Sequence, residues 1–91
     1  MKLELVICSA SARYVSKLPV QTKLKIYEAL ERATKIPWAE NLDIVPVKDR
    51  KLIYRIRVGN YRIGVRVDLG KRELQVVAIA PRGDFYKRLL H

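Results

Sequence analysis

The sequence predicts an α+β fold in which an N-terminal strand and a helical hairpin pack on one face of an antiparallel sheet. Residues 19–35 repeat apolar side chains at helical spacing, and residues 44–81 contain four short runs rich in apolar residues. The linkers between those runs have two or four residues, and linkers this short favour antiparallel neighbours. The 91 residues suffice for one hydrophobic core, so residues 1–91 are expected to form a single domain.

The N-terminal elements follow from local signals. Alternation in "KLELVIC" (residues 2–8) predicts a strand. Ser9 or Ser11 is expected to cap a short helix that reaches about Leu18, and Pro19 suits the start of a second helix. The apolar residues at helical spacing in that second helix, expected to face the sheet, are Val20, Leu24, Tyr27, Leu30 and Ala33.

The stretch "YRIRVGNYRIGVRVD" (residues 54–68) alternates with period two and predicts a β-hairpin. Gly59-Asn60 is a two-residue turn signal, because glycine adopts the positive φ that the first turn position needs. Such a turn places Arg57 directly opposite Arg62, and like charges in that position weaken a sheet. The inward set is Tyr54, Ile56, Val58, Tyr61, Ile63, Val65 and Val67. The opposite face carries the arginines and is expected to stay solvated, with room left at Gly64.

The strand expected over residues 73–81 is followed by "RGDFYKRLLH", which predicts a short helix or a frayed terminus. This tail brings Arg82 and Tyr86 to the same end of the molecule as the hairpin turn. Arg57 and Arg62 face each other on the hairpin, and no acidic residue of the hairpin lies opposite them. Together with Arg82 and Tyr86, they indicate a binding function for this end of the molecule.

The charge of the chain indicates a polyanionic partner. Nineteen basic and nine acidic residues give a net charge of +10, and residues 44–91 alone carry a net charge of +8. Such an excess favours nucleic acid first and an anionic membrane surface second. No apolar run approaches the length that crosses a membrane. Cys8 is the single cysteine, expected to be buried in the first strand, and the lack of a disulfide favours a cytoplasmic location.

The residue types present do not support several common kinds of catalytic or cofactor site. His91 is the only histidine, the carboxylates are scattered, and no glycine-rich phosphate loop occurs, so we predict no metal site and no cofactor. Catalysis would therefore depend on arginine, lysine and tyrosine. RNA supplies its own nucleophile, the 2′-hydroxyl, and guanidinium groups bind phosphate oxygens bidentately. Metal-independent RNA cleavage is a reaction that this limited set can support.

Residues 54–68 together with "PRGDFYKRL" (residues 81–89) resemble the RelE/ParE superfamily of toxins. The resemblance is close over residues 44–91, and the N-terminal elements fit in order and length. It implies a RelE-like fold and the toxin of a type II toxin–antitoxin system, blocked by a RelB-like antitoxin. RelE-like members cleave mRNA in the ribosomal A site without a metal ion. The alternatives within the same resemblance are a ParE-like toxin that poisons DNA gyrase and a catalytically inactive RNA-binding member.

The resemblance also implies roles for individual residues. Arg62 matches the arginine that stabilises the phosphate, and Arg82 matches an arginine assigned as general acid or charge clamp. Tyr86 matches a tyrosine assigned to base stacking or proton transfer. The expected RNA-binding residues are Lys48, Arg55, Arg57 and Arg66. Pro81 stands where a histidine is common in the family, so members that use that histidine are a poor guide to this chain.

Overall fold

A computed structural model describes residues 1–89, and it confirms the predicted α+β fold. The elements are β1 (Glu4–Ile7), α1 (Ser9–Ser16), α2 (Val20–Ala33), β2 (Ile44–Pro46), β3 (Ile53–Val58), β4 (Tyr61–Asp68), β5 (Glu73–Pro81) and α3 (Phe85–Leu89). The five strands form one sheet in the order β1-β5-β4-β3-β2. Of the two forms expected for the tail, the short helix is present as α3. Leu90 and His91 lie outside the described residues.

Strand pairing is antiparallel from β2 to β5, as the short linkers predicted, whereas β1 pairs with β5 in parallel. The two-residue turn at Gly59-Asn60 has φ +55° at Gly59, and it sets the predicted register, with Arg57 opposite Arg62. The predicted inward residues of the hairpin all pack into or against the core beneath α1 and α2. The alternation of inward and outward residues and the length of the turn therefore sufficed to predict this part of the sheet.

The face of α2 that packs on the sheet differs from the prediction. Its buried residues are Ile26, Leu30 and Ala33. Three residues that were expected to face the sheet are exposed: Val20, Leu24 and Tyr27. The prediction was wrong for those three because α2 carries two apolar stripes, and helical spacing alone does not say which one meets the sheet.

The start of α1 also differs from the prediction. Cys8, not Ser9 or Ser11, occupies the N-cap position, and its side chain makes no capping hydrogen bond. Ser11 is buried inside the helix, where its hydroxyl oxygen lies 3.3 Å from the Cys8 sulfur. Cys8 is exposed, so the expectation that it is buried was wrong. The physical reason is that β1 ends at Ile7, which leaves Cys8 beyond the sheet.

The outer face of the sheet, the one that carries the arginines, is partly covered by α3. Phe85 is fully buried there against Ala78 and Ala80, and a Cβ added at Gly64 would lie 3.3 Å from the Phe85 ring. A β-bulge makes this packing possible. Gly64 pairs with Ala78 and Val65 with Val76, so Val77 is left over and the alternation of β5 is reversed beyond it.

The expectation that the outer face stays solvated was therefore wrong around Gly64, where small residues form a socket for α3. The room that glycine leaves is filled by Phe85 and Leu89 rather than by solvent beside Arg55. Among the described residues, no helix is both long enough and apolar enough to span a membrane.

Candidate nucleic-acid interface

Arg62 is the centre of the arginine group at the hairpin turn. Its cross-strand neighbours are Arg57 on β3 and Ala80 on β5. Only 7% of Arg62 is exposed, so the expectation that this side chain is exposed was wrong. Its Nη1 donates hydrogen bonds to the carbonyl oxygens of Gly59 and Tyr61, both at 3.0 Å. Among residues 1–89, the guanidinium is thus held against the turn by backbone acceptors rather than by a carboxylate.

The electrostatic surroundings of Arg62 are strongly positive. Burial lowers the pKa of the Arg62 guanidinium from its usual value, and the charges of Arg57, Arg55 and Arg82 lower it further. Asp43 acts in the opposite direction and is the weakest of these influences. An arginine stays protonated even when its pKa falls, so the site keeps its positive charges close together. Positive charges this close together repel one another in the free protein, and a bound anion would reduce that repulsion.

Arg55 is only partly paired within the described residues. Its Nη2 lies 3.3 Å from an Asp43 carboxylate oxygen, while its Nε is buried and has no hydrogen-bond partner among the described residues. Buried polar atoms are normally hydrogen-bonded, so this N–H is an unsatisfied donor among residues 1–89. Sequence reasoning did not single out Asp43 as a partner of Arg55, because the contact depends on the pairing of β2 with β3.

Arg82 is attached to the same turn as Arg62. Its backbone N–H donates to the Asn60 carbonyl oxygen at 2.8 Å, and its side chain is exposed. The two consecutive turn residues Gly59 and Asn60 therefore position both arginines, one through its guanidinium and the other through its backbone. This confirms the expectation that the tail and the hairpin turn meet at one end of the molecule.

Tyr86 lies on α3 with 57% of its surface exposed. Its ring packs edge-to-face on Phe85, with 5.0 Å between the ring centroids. Phe85 fills the Gly64 socket, and the Arg88 guanidinium lies 4.8 Å from the centroid of the Tyr14 ring on α1. Phe85 and Arg88 therefore attach α3 to the rest of the molecule, and more than half of the Tyr86 surface remains exposed.

Two predicted RNA-binding residues lie away from this group. Lys48 lies in the turn between β2 and β3, and Arg66 lies opposite Ile53 near the start of β3. Both are exposed and are at the end of the sheet opposite the Gly59-Asn60 turn. The structure thus brings together Arg55, Arg57, Arg62 and Arg82, named here the arginine cluster. Among residues 1–89, no three His, Cys, Asp or Glu side chains are grouped to hold a metal ion.

The fold is that of a known class of solved structures, the RelE toxins. The archaeal RelE–RelB complex of Pyrococcus horikoshii OT3 matches with a TM-score of 0.78 and 21% sequence identity, over 91% of this chain and 98% of that chain. A mutant of the Escherichia coli toxin RelE in the free state matches with a TM-score of 0.78 and 16% identity, over 99% and 96%.

A third solved structure, the RelB–RelE antitoxin–toxin complex of Methanococcus jannaschii, has a TM-score of 0.69 and 23% identity, over 87% of this chain and 92% of that chain. No family model and no curated protein matches the sequence. At these identities the likeness concerns the fold, and on that level it confirms the resemblance that residues 54–68 carry. The chain has the fold of the RelE toxins.

Proposed function

We propose that this protein is the toxin of a type II toxin–antitoxin pair and acts as a ribosome-dependent, metal-independent endoribonuclease. The observation that carries the proposal is the arginine cluster. In it the buried Arg62 guanidinium is surrounded by like charges and, within residues 1–89, is hydrogen-bonded only to backbone carbonyls. Within residues 1–89 the cluster has one ion pair, between Arg55 and Asp43 at 3.3 Å, and a phosphate group bound there would add further negative charge. Cleavage of mRNA in the ribosomal A site places this action in the cytoplasm.

The proposed reaction uses the chemistry of RNA itself. The 2′-hydroxyl gives up its proton to water, its oxygen attacks the adjacent phosphorus, and the bond to the 5′-oxygen breaks. The products are a 2′,3′-cyclic phosphate and a 5′-hydroxyl, which forms when the leaving oxygen takes up a proton in turn. Negative charge builds up on the phosphoryl oxygens in the transition state, and preorganised cationic donors stabilise it. Arg62 is suited to this role because its bonds to Gly59 and Tyr61 use Nη1 alone within residues 1–89. Its Nε and Nη2 groups remain for two phosphate oxygens.

Arg82 and Tyr86 complete the proposed site. Arg82 is exposed beside the turn, where its guanidinium can bind the leaving 5′-oxygen as a charge clamp or donate its proton. The exposed Tyr86 ring can stack on a base displaced from the mRNA, as aromatic side chains do with single strands. Arg55 and Arg57 are assigned to phosphates on either side of the cleaved bond, and Lys48 and Arg66 to more distant ones.

A RelB-like antitoxin is the proposed protein partner. This assignment is supported by the structural neighbours from Pyrococcus horikoshii and Methanococcus jannaschii, which are RelE proteins in complex with RelB. The +10 charge of the chain is suited to an acidic partner.

Primer extension on an mRNA under translation tests the activity. Wild-type protein is expected to produce cuts at A-site codons only when ribosomes are present, and Arg62→Ala should remove them. Arg62→Lys keeps the charge but not the bidentate geometry, so it should retain only a small part of the activity. Arg50→Ala, at an exposed turn, serves as the matched control. Absence of cuts together with inhibition of gyrase supercoiling would replace this proposal with a ParE-like function.

A further inference from the structure

The proposed reaction needs an acceptor for the 2′-hydroxyl proton, and the four guanidinium groups of the arginine cluster cannot be that acceptor. Arginine stays protonated in a protein and has no acceptor atom on its side chain, so the cluster can stabilise negative charge but cannot take up another proton. Bulk water is a weak base. A positioned side chain that accepts the proton accelerates such a step by about 10²–10⁴-fold, so a carboxylate beside the cluster would matter for the rate.

Asp43 is the carboxylate that meets the cluster. It lies directly before β2, and its Oδ1 atom is 3.3 Å from Nη2 of Arg55. Its carbonyl oxygen accepts a hydrogen bond from the Arg57 N–H at 3.0 Å, which fixes the Asp43 backbone against β3. Asp43 is also the one acidic residue among the charged groups that act on the buried Arg62. Both its backbone and its side chain are therefore anchored at the proposed phosphate site.

The Asp43 carboxylate is accessible to a ligand as well as anchored. Its side chain is 48% exposed, compared with 22% for the side chain of Arg55. Within residues 1–89 its contact with Arg55 is made by Oδ1, so Oδ2 can accept a further hydrogen bond. A carboxylate that is held in place on one oxygen and open on the other is suited to take a proton from RNA bound at the cluster.

The other charged groups around Asp43 are mostly cationic. A cavity of about 260 Å³ on the α2 side of Asp43 is lined by Lys25, Arg32 and Arg57, and nearby positive charges favour an ionised carboxylate. Glu28 is the one other carboxylate in that lining. It takes part in neither of the two ion pairs within residues 1–89, and it is not among the charges that act on the buried guanidinium of the cluster. Glu28 therefore shares the cavity with Asp43 but not its contact with the cluster.

We propose that Asp43 is the proton acceptor of the proposed cleavage reaction. This inference rests on the proposed function and adds the residue that removes the 2′-hydroxyl proton. The water that receives this proton passes one of its own to the Asp43 carboxylate, so the water is regenerated while the 2′-oxygen attacks the phosphorus. The carboxylic acid that results returns its proton to the solvent before the next cleavage. Arg55 holds the carboxylate in position during the reaction.

Asp43→Asn tests this role, because asparagine keeps an oxygen that can bond to Arg55 but is not a base. The single-turnover rate of mRNA cleavage on ribosomes is expected to fall by roughly 10²-fold or more. Binding to ribosomes that carry an mRNA with a 2′-deoxynucleotide at the cleaved position, which cannot be cut, should be unchanged or tighter because a negative charge is removed. Glu28→Gln is the matched control, since it removes a carboxylate from the same cavity, and it should cleave like the wild type.

The pH profile separates proton transfer from mere positioning of Arg55. Without the Asp43 carboxylate the 2′-hydroxyl must lose its proton to hydroxide, so the single-turnover rate of Asp43→Asn should rise by roughly tenfold per pH unit. The wild-type rate should depend on pH less steeply, because its acceptor is the carboxylate. If Asp43 only positioned Arg55, the two profiles would be parallel.

Several results would overturn the assignment while leaving the proposed endoribonuclease intact. They are a wild-type cleavage rate in Asp43→Asn, parallel pH profiles, an equal loss of rate in Glu28→Gln, and a loss of binding to the 2′-deoxy mRNA as large as the loss of cleavage. A wild-type protein that makes no cuts would instead overturn the proposed function, and the role of Asp43 with it. The wild-type rate thus distinguishes the two failures.

Discussion

Arg57 and Arg62 lie directly opposite each other across the β3–β4 hairpin, and Arg62 is buried despite this repulsion. Burial is the largest influence that lowers the pKa of Arg62, and the positive charge of Arg57 is the second. This repulsive pair lies where the carbonyl oxygens of Gly59 and Tyr61 hold the Arg62 guanidinium. The hairpin therefore keeps two like charges side by side at a cost to its own stability, a cost that the proposed phosphate ligand would offset.

Removing one of the two charges should stabilise the protein. Arg57→Gln is expected to raise the free energy of unfolding by about 0.3–1 kcal/mol at low salt, because it relieves a like-charge cross-strand pair. The gain should shrink in high salt, since screening already weakens that repulsion in the wild type. Denaturant unfolding at two salt concentrations measures both values. Arg50→Gln, at an exposed turn, is the control, and an equal gain there would show that only net charge matters.

The arginine cluster and the distant basic residues should differ in their effect on RNA binding. Neutral substitution of Arg55, Arg57 or Arg62 is expected to reduce the slope of log affinity against log salt by up to about one unit each. The reason is that binding with one phosphate contact fewer releases fewer counterions. Substitution of Arg66, at the other end of the sheet, should flatten it less. Equal slopes for Arg66→Gln and Arg57→Gln would mean that RNA covers both ends.

Tyr86 should matter for cleavage and little for stability. Because its ring is exposed while Phe85 is the buried residue of α3, Tyr86→Ala is expected to change the free energy of unfolding by less than about 0.5 kcal/mol. The same change should weaken RNA interaction by about 1–3 kcal/mol of lost stacking. Tyr86→Phe keeps the ring, so its single-turnover rate should fall only in part. A fully active Tyr86→Ala would remove this residue from the site.

The Gly64 socket should control the position of α3. A Cβ at residue 64 lies 3.2 Å from Leu89 Cδ1 and 3.3 Å from the Phe85 ring, which is already tight. Gly64→Val adds further atoms and should cost about 1–3 kcal/mol of unfolding free energy through overpacking. Cleavage should fall with it, because Tyr86 moves with α3. Gly83→Ala, where an added Cβ meets nothing within 4 Å, is the control and should leave both measurements unchanged.

Cys8 should react as a thiol of lowered pKa. A hydrogen bond with the Ser11 side chain, followed by one with the Ser11 backbone, lowers the pKa of the Cys8 thiol from its ordinary value. The pH profile of iodoacetamide alkylation should therefore have its midpoint at a lower pH in the folded protein than in urea. Ser11→Ala should move the midpoint upward. Because the folded state favours the thiolate, this contribution to stability is present above the unfolded-state pKa and is lost as the pH falls through the folded-state pKa. Identical midpoints in all three samples would contradict the assignment.

The sequence by itself determined the hairpin, its inward side chains and the opposition of Arg57 and Arg62, because these depend only on period two and a two-residue turn. It also brought Arg82 to that turn. The tertiary structure alone decided that Arg62 is buried, that Arg55 pairs with Asp43, and which stripe of α2 meets the sheet.

The same holds for the outer face of the sheet. Gly64, Ala78 and Phe85 come from three elements, and nothing in the spacing of any one of them predicts that a bulge at Val77 aligns them into a socket. Lys48 and Arg66 are cationic like the residues of the arginine cluster, but they lie at the far end of the sheet from it. Local patterns specify local geometry, whereas contacts between distant elements depend on how the whole chain packs.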